Sequence, residues 1–544
     1  MPQMTGGQAL VAQLLREGIE VVFGLPGVQL DWAFDALYDA RDRIRIYHTR
    51  HEQATSYMAD GYARTTGKVG MCLVVPGPGL LNAMAGLSTA YACNSKLLCV
   101  SGQIPSEQIG KGRGMLHEIP HQLEAVRSVT KWAARAMRPE EVPGLVREAF
   151  RQLHTGRPRP VEIEIPPDVL MNTAEVTLLD PEPAEQPEGD PDLLDQAARA
   201  LGQAERPIIF AGGGVLAAEA WEELQALAEL LEAPVVMSMD GKGALSDRHY
   251  LAQNMIAARE LTPQSDVILV VGTRFLQPAT SDWGPNGQVV IQMDIDPEEI
   301  GRNYPPAIGI VADAKRGLAA LVDRVPKHNR KRASREEELT ALKERIEDLL
   351  WEVQPQAAYA MALREVLPDD GILVSESTQV GYWTWNAFPV YRPRTLLTSG
   401  YQGTLGYGFA TALGAQVANP DKAVISINGD GGFMYNVQEL ATAVQHRINL
   451  VTVVFNDNAY GNVRRIQKER FNGRLIASDL YNPDFVKLAE AFGVEGIRAE
   501  KPEQLKQALE RSLGVGHPVL IEVPVGEMPS IWSIVMAGRR QQAV

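Results

Sequence analysis

Short runs of β-branched residues alternate with longer amphipathic stretches along the whole chain, and this rhythm limits the fold more than any other feature. VGMCLVV (69–75), RPIIF (206–210), DVILVVG (266–272), QVVIQMDID (288–296), KAVISIN (422–428) and INLVTVVFN (448–456) carry it. Such runs, ending in Gly, Pro or Asp, read as buried strands of parallel sheets joined by crossover helices. A length of 544 residues suggests about three domains of this kind. Residues 180–192, DPEPAEQPEGDPD, are acidic and proline-rich, as an exposed linker is. Residues 326–354 open with a basic run and continue as a charged stretch that reads as a solvated connecting helix. The expected fold class is α/β, three doubly wound parallel-sheet domains over residues 1–180, 190–325 and 355–544. The first and third look like two versions of one layout.

Fifty-two basic against 67 acidic residues leave a net charge of −15, a field that repels phosphate backbones, so no nucleic-acid partner is expected. The opening MPQMTGGQALVAQLLREGIE lacks the basic-then-apolar order of a signal peptide and reads as a first helix. No uncharged apolar run reaches the ~18–20 residues that cross a bilayer. The expected location is cytoplasmic, away from membranes. Cys72, Cys93 and Cys99 have no metal-binding spacing and read as small buried hydrophobes.

Ligands of open α/β sheets sit at the carboxyl ends of the strands, so the strand ends carry the chemistry. Gly429-Asp430-Gly431 ends one apolar run, and after 24 residues Asn456-Asp457-Asn458 ends the next. A Gly-Asp-Gly tripeptide alone is an ordinary turn. Two such ends on one βαβ unit place Asp430 and Asp457 close enough to share a hard cation. The intervening FMYNVQELATAVQHR (433–447) reads as a crossover helix whose free N–H groups suit a phosphate. A second candidate is Glu52, in RHEQATSYMADGYAR (50–64), where Ala54, Ser56, Ala59, Gly61 and Ala63 give the helix a small-residue face. Tight packing of that face on another domain or subunit is expected to bury the carboxylate and raise its pKa. A third is Gly403-Thr404-Leu405-Gly406, where glycines permit close backbone approach to a ligand or simply close helix packing.

Taken together these residues resemble the thiamine diphosphate (ThDP) enzymes of the acetolactate synthase group. The resemblance runs through VFGLPG (22–27), RHEQATSYMADGYAR, PGPGLLNAMAGL (76–87), GRPRPVEIEIPPD (156–168), MDIDPEEIGRN (293–303), GTLGYG, NGDGGF and QEL, in the family's order. It implies an N-terminal pyrimidine-binding domain, a middle domain like those that bind FAD or NAD, and a C-terminal diphosphate-binding domain. It also implies a homodimer or homotetramer with active sites between chains. By the same resemblance Glu52 hydrogen-bonds N1′ of the aminopyrimidine, Gly403 accepts from the 4′-amino group, and Leu405 is the wedge that bends the cofactor. Asp430, Asp457 and the Ala459 carbonyl hold Mg²⁺. Gly431 and Gly432 meet the diphosphate, Thr378 and Gln379 match a further diphosphate loop, and Tyr460 belongs to the same set. Pro26 and Asn82 line the aminopyrimidine pocket.

The implied function is a carboligase or decarboxylase, a lyase or transferase acting on small 2-oxo acids, with pyruvate to acetolactate plus CO₂ as the leading reaction. Departures from the biosynthetic synthases are specific. Position 457 is Asp where most of the family has Asn, and Asn462 and Ile466 stand where Met and Trp are typical. Leu116 and His117 replace a substrate-facing Phe-Gln pair; His117 reads equally as an acid or donor near the acceptor carbonyl and as a structural histidine. FAD is left open. Gly212–Gly214, Arg274 and Asp294-Ile295-Asp296 match a flavin cradle, while residues 249–266 lack the loop that covers a flavin ring. The alternatives are a non-ligating 2-oxo acid decarboxylase, a flavin-linked oxidoreductase, and a cofactor-binding protein without turnover. Glu52 argues against the last.

Overall fold

The apolar runs form strands of four to six residues, shorter than the stretches that mark them, and two of these strands end on Gly429 and Asp294. In the computed structural model, which describes residues 2–538, they build three six-stranded sheets with every pairing parallel, plus one antiparallel two-stranded ribbon.

The N-terminal sheet runs, in space, Arg45–His48, Val21–Gly24, Gly70–Val74, Leu97–Gly102, Val161–Ile165, Trp132–Arg135. The C-terminal sheet runs Leu396–Leu397, Ile372–Ser375, Val424–Gly429, Val451–Asn456, Val519–Pro524, Glu495–Arg498. Numbered along the chain, both read 2-1-3-4-6-5, the shared layout visible in the sequence. The middle sheet reads 3-2-1-4-5-6 and is centred on Ile208–Ala211 and Val267–Val271. In each, strand order reverses beside the first strand, which opens a crevice at the carboxyl ends.

The first helix, Gly6–Arg16, is capped by Thr5 and Gln8 in a reciprocal box and preceded by Gln3–Thr5, which pairs with Thr173–Glu175. Two expectations need correction. Residues 326–354 are not solvated all round: helix Glu336–Trp351 buries Leu339, Leu342, Ile346 and Leu350, at one-face spacing, in the core shared by the middle and C-terminal sheets. The crossover after Gly-Asp-Gly is not one helix. It breaks into Asp430–Phe433, a 3₁₀ turn Val437–Glu439 and Leu440–Gln445. At the break, buried Asn436 donates to the Gly406 carbonyl (2.6 Å), and Glu439 leaves the helix to take backbone N–H groups of another domain.

The small-residue face of helix Glu52–Thr66 packs against helix Tyr407–Ala418 of the same chain. A Cβ on Gly61 would overlap the Thr411 carbonyl, and one on Gly414 would overlap that of Met58. Glycine is what lets the two backbones meet. Helix Pro78–Cys93 joins this layer, Gly86 lying against Ser56. Among the described residues no helix is long and apolar enough to cross a membrane, and all three cysteines are free.

Candidate active site

The parallel register Gly429↔Phe455 makes strands Val424–Gly429 and Val451–Asn456 end together, which sets Asp430 and Asp457 side by side. Asp430 is buried, and Asn482 donates to its Oδ2 at 2.5 Å. The same amide donates to Asn456 Oδ1 (2.9 Å) and Asn458 Oδ1 (3.4 Å), so three oxygens from two strand ends converge on one donor. Asp457 Oδ1 accepts from Ala459 N–H at 3.2 Å. Burial first, and the neighbouring Asp430 carboxylate second, push Asp457 up to about 7; burial raises Asp430 as well. The pair therefore calls for a shared proton or a cation. Among the described residues no three His, Cys, Asp or Glu side chains cluster as metal ligands. Two carboxylates plus carbonyl and phosphate oxygens are the donor set that suits Mg²⁺.

The other C-terminal candidates lie at loops and strand ends of the same domain. A Cβ on Gly431 would press on the Tyr460 ring at 2.7 Å, and one on Gly432 would overlap the Glu376 carboxyl. Thr378 and Gln379 start helix Gln379–Ala387; Thr378 lies against Gly429, and Gln379 shares a cleft of about 30 Å³ with Asp457 and Ala459. Gly403 is exposed, left-handed (φ +60°) and has no heavy atom within 4 Å of its Cβ position, an open backbone surface. Leu405, beside it, is half-buried.

In the N-terminal domain Glu52 starts helix Glu52–Thr66, and its Oε2 accepts from Asn82 at 3.0 Å. The packing seals Ala54 to Gly61 but leaves Glu52 itself half-buried in the single chain. Its approach is fixed from the C-terminal domain: Arg50 and His51 donate backbone N–H groups to buried Glu439 at 3.1 and 3.0 Å. Pro26 is exposed just past strand Val21–Gly24. His117 sits in a left-handed conformation (φ +67°) with its carbonyl pressed on Gly77, leaving no room for a Cβ there. His117 Nδ1 meets Gln29 Oε1 at 3.2 Å, and Gln29 Nε2 donates to the Leu116 carbonyl at 3.1 Å. That second bond orients the amide, so Nδ1 carries the proton and a neutral ring keeps Nε2 as an acceptor.

The middle crevice holds a cavity of about 320 Å³, lined by Gly213, Gly214, Arg274, Asp294 and Ile295 and closed by Arg64 and Arg394 of the flanking domains. Burial pushes Asp294 up to about 6. Sequence reasoning passes over Gln29, Glu376, Glu439 and Asn482. Glu439 lies within QEL and Glu376 two residues before Thr378, both beside residues already marked, whereas Gln29 and Asn482 act on partners far along the chain and carry no local signal.

The thiamine pyrophosphate enzyme models match in order: the N-terminal TPP-binding domain at 4–125, the central domain at 194–321 and the C-terminal TPP-binding domain at 376–523. A probable acetolactate synthase large subunit of Methanocaldococcus jannaschii is 36% identical over 98% of this chain and 94% of its own length. The acetolactate synthase large subunit of Haemophilus influenzae is 32% identical over 99% and 97%. A probable 2-ketoarginine decarboxylase of Pseudomonas aeruginosa is 35% identical over 96% and 94%. The chain belongs to the thiamine diphosphate-dependent enzymes, in their acetolactate synthase large-subunit-like branch.

Proposed function

We propose that this enzyme uses ThDP and Mg²⁺ to decarboxylate a small 2-oxo acid and ligate the remainder to a second carbonyl, with pyruvate to acetolactate plus CO₂ as its reaction. The observation that carries it is a strand-end pair of carboxylates, buried Asp430 and half-buried Asp457, in the C-terminal fold of a chain whose N-terminal fold starts a helix with Glu52. The residues fit the cofactor: Asp430, Asp457 and the Ala459 carbonyl would hold Mg²⁺, and Gly431 and Gly432, packed on Tyr460 and the Glu376 carboxyl with no room for a side chain, would offer backbone N–H groups to a diphosphate. Bound ThDP supplies the electron sink for decarboxylation. Glu52, oriented by Asn82, would hold the proton at N1′ of the aminopyrimidine. Gly403 would accept from the 4′-amino group and Leu405 would support the bend. His117, with Nε2 free, would face the acceptor carbonyl, as a hydrogen-bond donor when protonated.

A homodimer or dimer-based tetramer completes the reading. Val28, Leu81, Leu116, Tyr401 and Tyr435 flank site residues and are 48–62 % exposed in the single chain, an apolar rim that a second copy would cover. FAD fits in part. The middle cavity carries the matched glycines and Arg274, yet its volume is at the small end for ligand pockets. Any flavin there would be structural, and the absorption spectrum of the purified protein reports it. Decarboxylation without ligation is the second reading, favoured by near-equal similarity to the Pseudomonas aeruginosa decarboxylase and by Ile466 in place of a bulky Trp. Incubation with ThDP, Mg²⁺ and a panel of 2-oxo acids, following CO₂ and carbon–carbon bonded products together, tests the proposal. Ligation products support it; CO₂ with free aldehyde alone replaces synthase by decarboxylase.

A further inference from the structure

The chemistry above makes no use of Glu376, a fully buried residue that follows strand Ile372–Ser375 on the edge of the C-terminal crevice. Its Oε1 accepts the N–H of Gly406 at 2.6 Å, and its Oε2 has no partner. Buried Asn428 Oδ1 has none either. Both oxygens converge on Gly408, where a Cβ would lie 2.5 Å from Asn428 Oδ1 and 3.0 Å from Glu376 Oε2. The amide of Asn428 cannot turn to relieve this, because its Nδ2 already donates to Ser426 Oγ (2.9 Å) and to the Val453 carbonyl (3.3 Å). Two dry acceptors beside one glycine are both left without a donor unless one of them carries a proton, and only the carboxyl can take one.

We propose that Glu376 is a neutral carboxylic acid whose Oε2–H is donated to Asn428 Oδ1, and that it positions both glycine loops of the cofactor cradle. One end of the carboxyl fixes Gly406, in the Gly403–Gly406 loop, and the same group packs against Gly432 of the diphosphate loop. Burial pushes Glu376 up to about 8 against the opposing N–H groups of Gly406 and Gly408. The titratable groups that sense it are Tyr57 and Tyr382, both neutral in this range, and no cation is among the influences on it. The meaning of the cradle rests on the proposed ThDP function; the protonation state does not, so the two fail separately.

The test is infrared spectroscopy of the cofactor-free protein with magnesium present, titrated from about pH 6 to pH 10. A protonated-carboxyl carbonyl band is expected at neutral pH, fading through about pH 8 and absent from Glu376→Gln. Because the folded value is raised, the stability it contributes is full at low pH and lost as pH rises towards 8. Wild-type protein should therefore lose more stability than Glu376→Gln between about pH 6 and pH 9. ThDP affinity is the positioning readout. Glu376→Gln, which keeps both an acceptor and a donor, should bind within about threefold of wild type, and Glu376→Leu at least about tenfold more weakly. An ionised carboxylate at pH 7 overturns the protonation assignment without any variant having to fold. Equal losses of ThDP affinity in Gln and Leu overturn the positioning role.

Discussion

Without its cation the strand-end pair becomes a burden that grows with pH. Asp457 is pushed up to about 7 from an ordinary 3.8, mainly by burial and then by Asp430. At 1.36 kcal/mol per pH unit, ionising it beside Asp430 costs the folded protein about 4 kcal/mol as an upper value. The sign follows from the raised value. The folded protein holds this proton more tightly than the unfolded chain, so the stability is intact below about pH 4 and lost as pH climbs to about 7. About 3 kcal/mol of that loss falls between pH 5 and pH 8, which for a domain of this size corresponds to a thermal midpoint lower by about 5–10 °C at pH 8 than at pH 5 in metal-free protein. Glu376 adds a loss of the same sign, so the informative quantity is the difference between wild type and Asp457→Asn, measured by calorimetry in chelator. The variant should lose most of its excess slope, and Mg²⁺ should raise the wild-type midpoint at pH 8 far more than at pH 5. Identical slopes in the two proteins, or a Mg²⁺ effect independent of pH, would refute the reasoning.

Glu52→Gln should retain ThDP binding while CO₂ release falls about 10²–10⁴-fold, as loss of a positioned acid does; unchanged turnover would remove Glu52 from the mechanism. Gly414→Ala forces a methyl into the Met58 carbonyl, and a drop in urea stability of about 1–3 kcal/mol is expected. A neutral effect would mean that the two helices separate easily. Gln29→Leu frees His117 to exchange tautomers. Histidine ¹⁵N spectra should show a Nδ1–H ring in wild type and a mixture in the variant; a mixture already in wild type would remove Gln29 as the group that sets the tautomer.

How far the sequence carried varies with the physics involved. Parallel strands are buried on both faces, so runs such as VILVV and VVIQMD announce themselves without tertiary context. Asp430 and Asp457 are neighbours in the sequence reading because in-register parallel strands must end together. The helix Glu336–Trp351 is different. Its charge density hides a one-sided stripe, Leu339, Leu342, Ile346 and Leu350, which matters only once a core lies beside it. The crossover after Gly431 breaks because Asn436 and Glu439 find better partners in Gly406 and in the Arg50–His51 backbone, contacts that no local pattern encodes. Asn482 and Gln29 were silent for the same reason: each orients a site residue far away in sequence. Glu376 stands two residues before the Thr378–Gln379 loop without a local signal, and its meaning emerges only from the unpaired oxygen of Asn428.

Titration calorimetry of the full-length protein with ThDP, in the presence and absence of Mg²⁺, bears most directly on the whole account. Saturable heat that depends on Mg²⁺ and disappears when Asp430 is replaced by Ala is the predicted result. No heat with Mg²⁺ present, or binding indifferent to both the cation and Asp430, would contradict it.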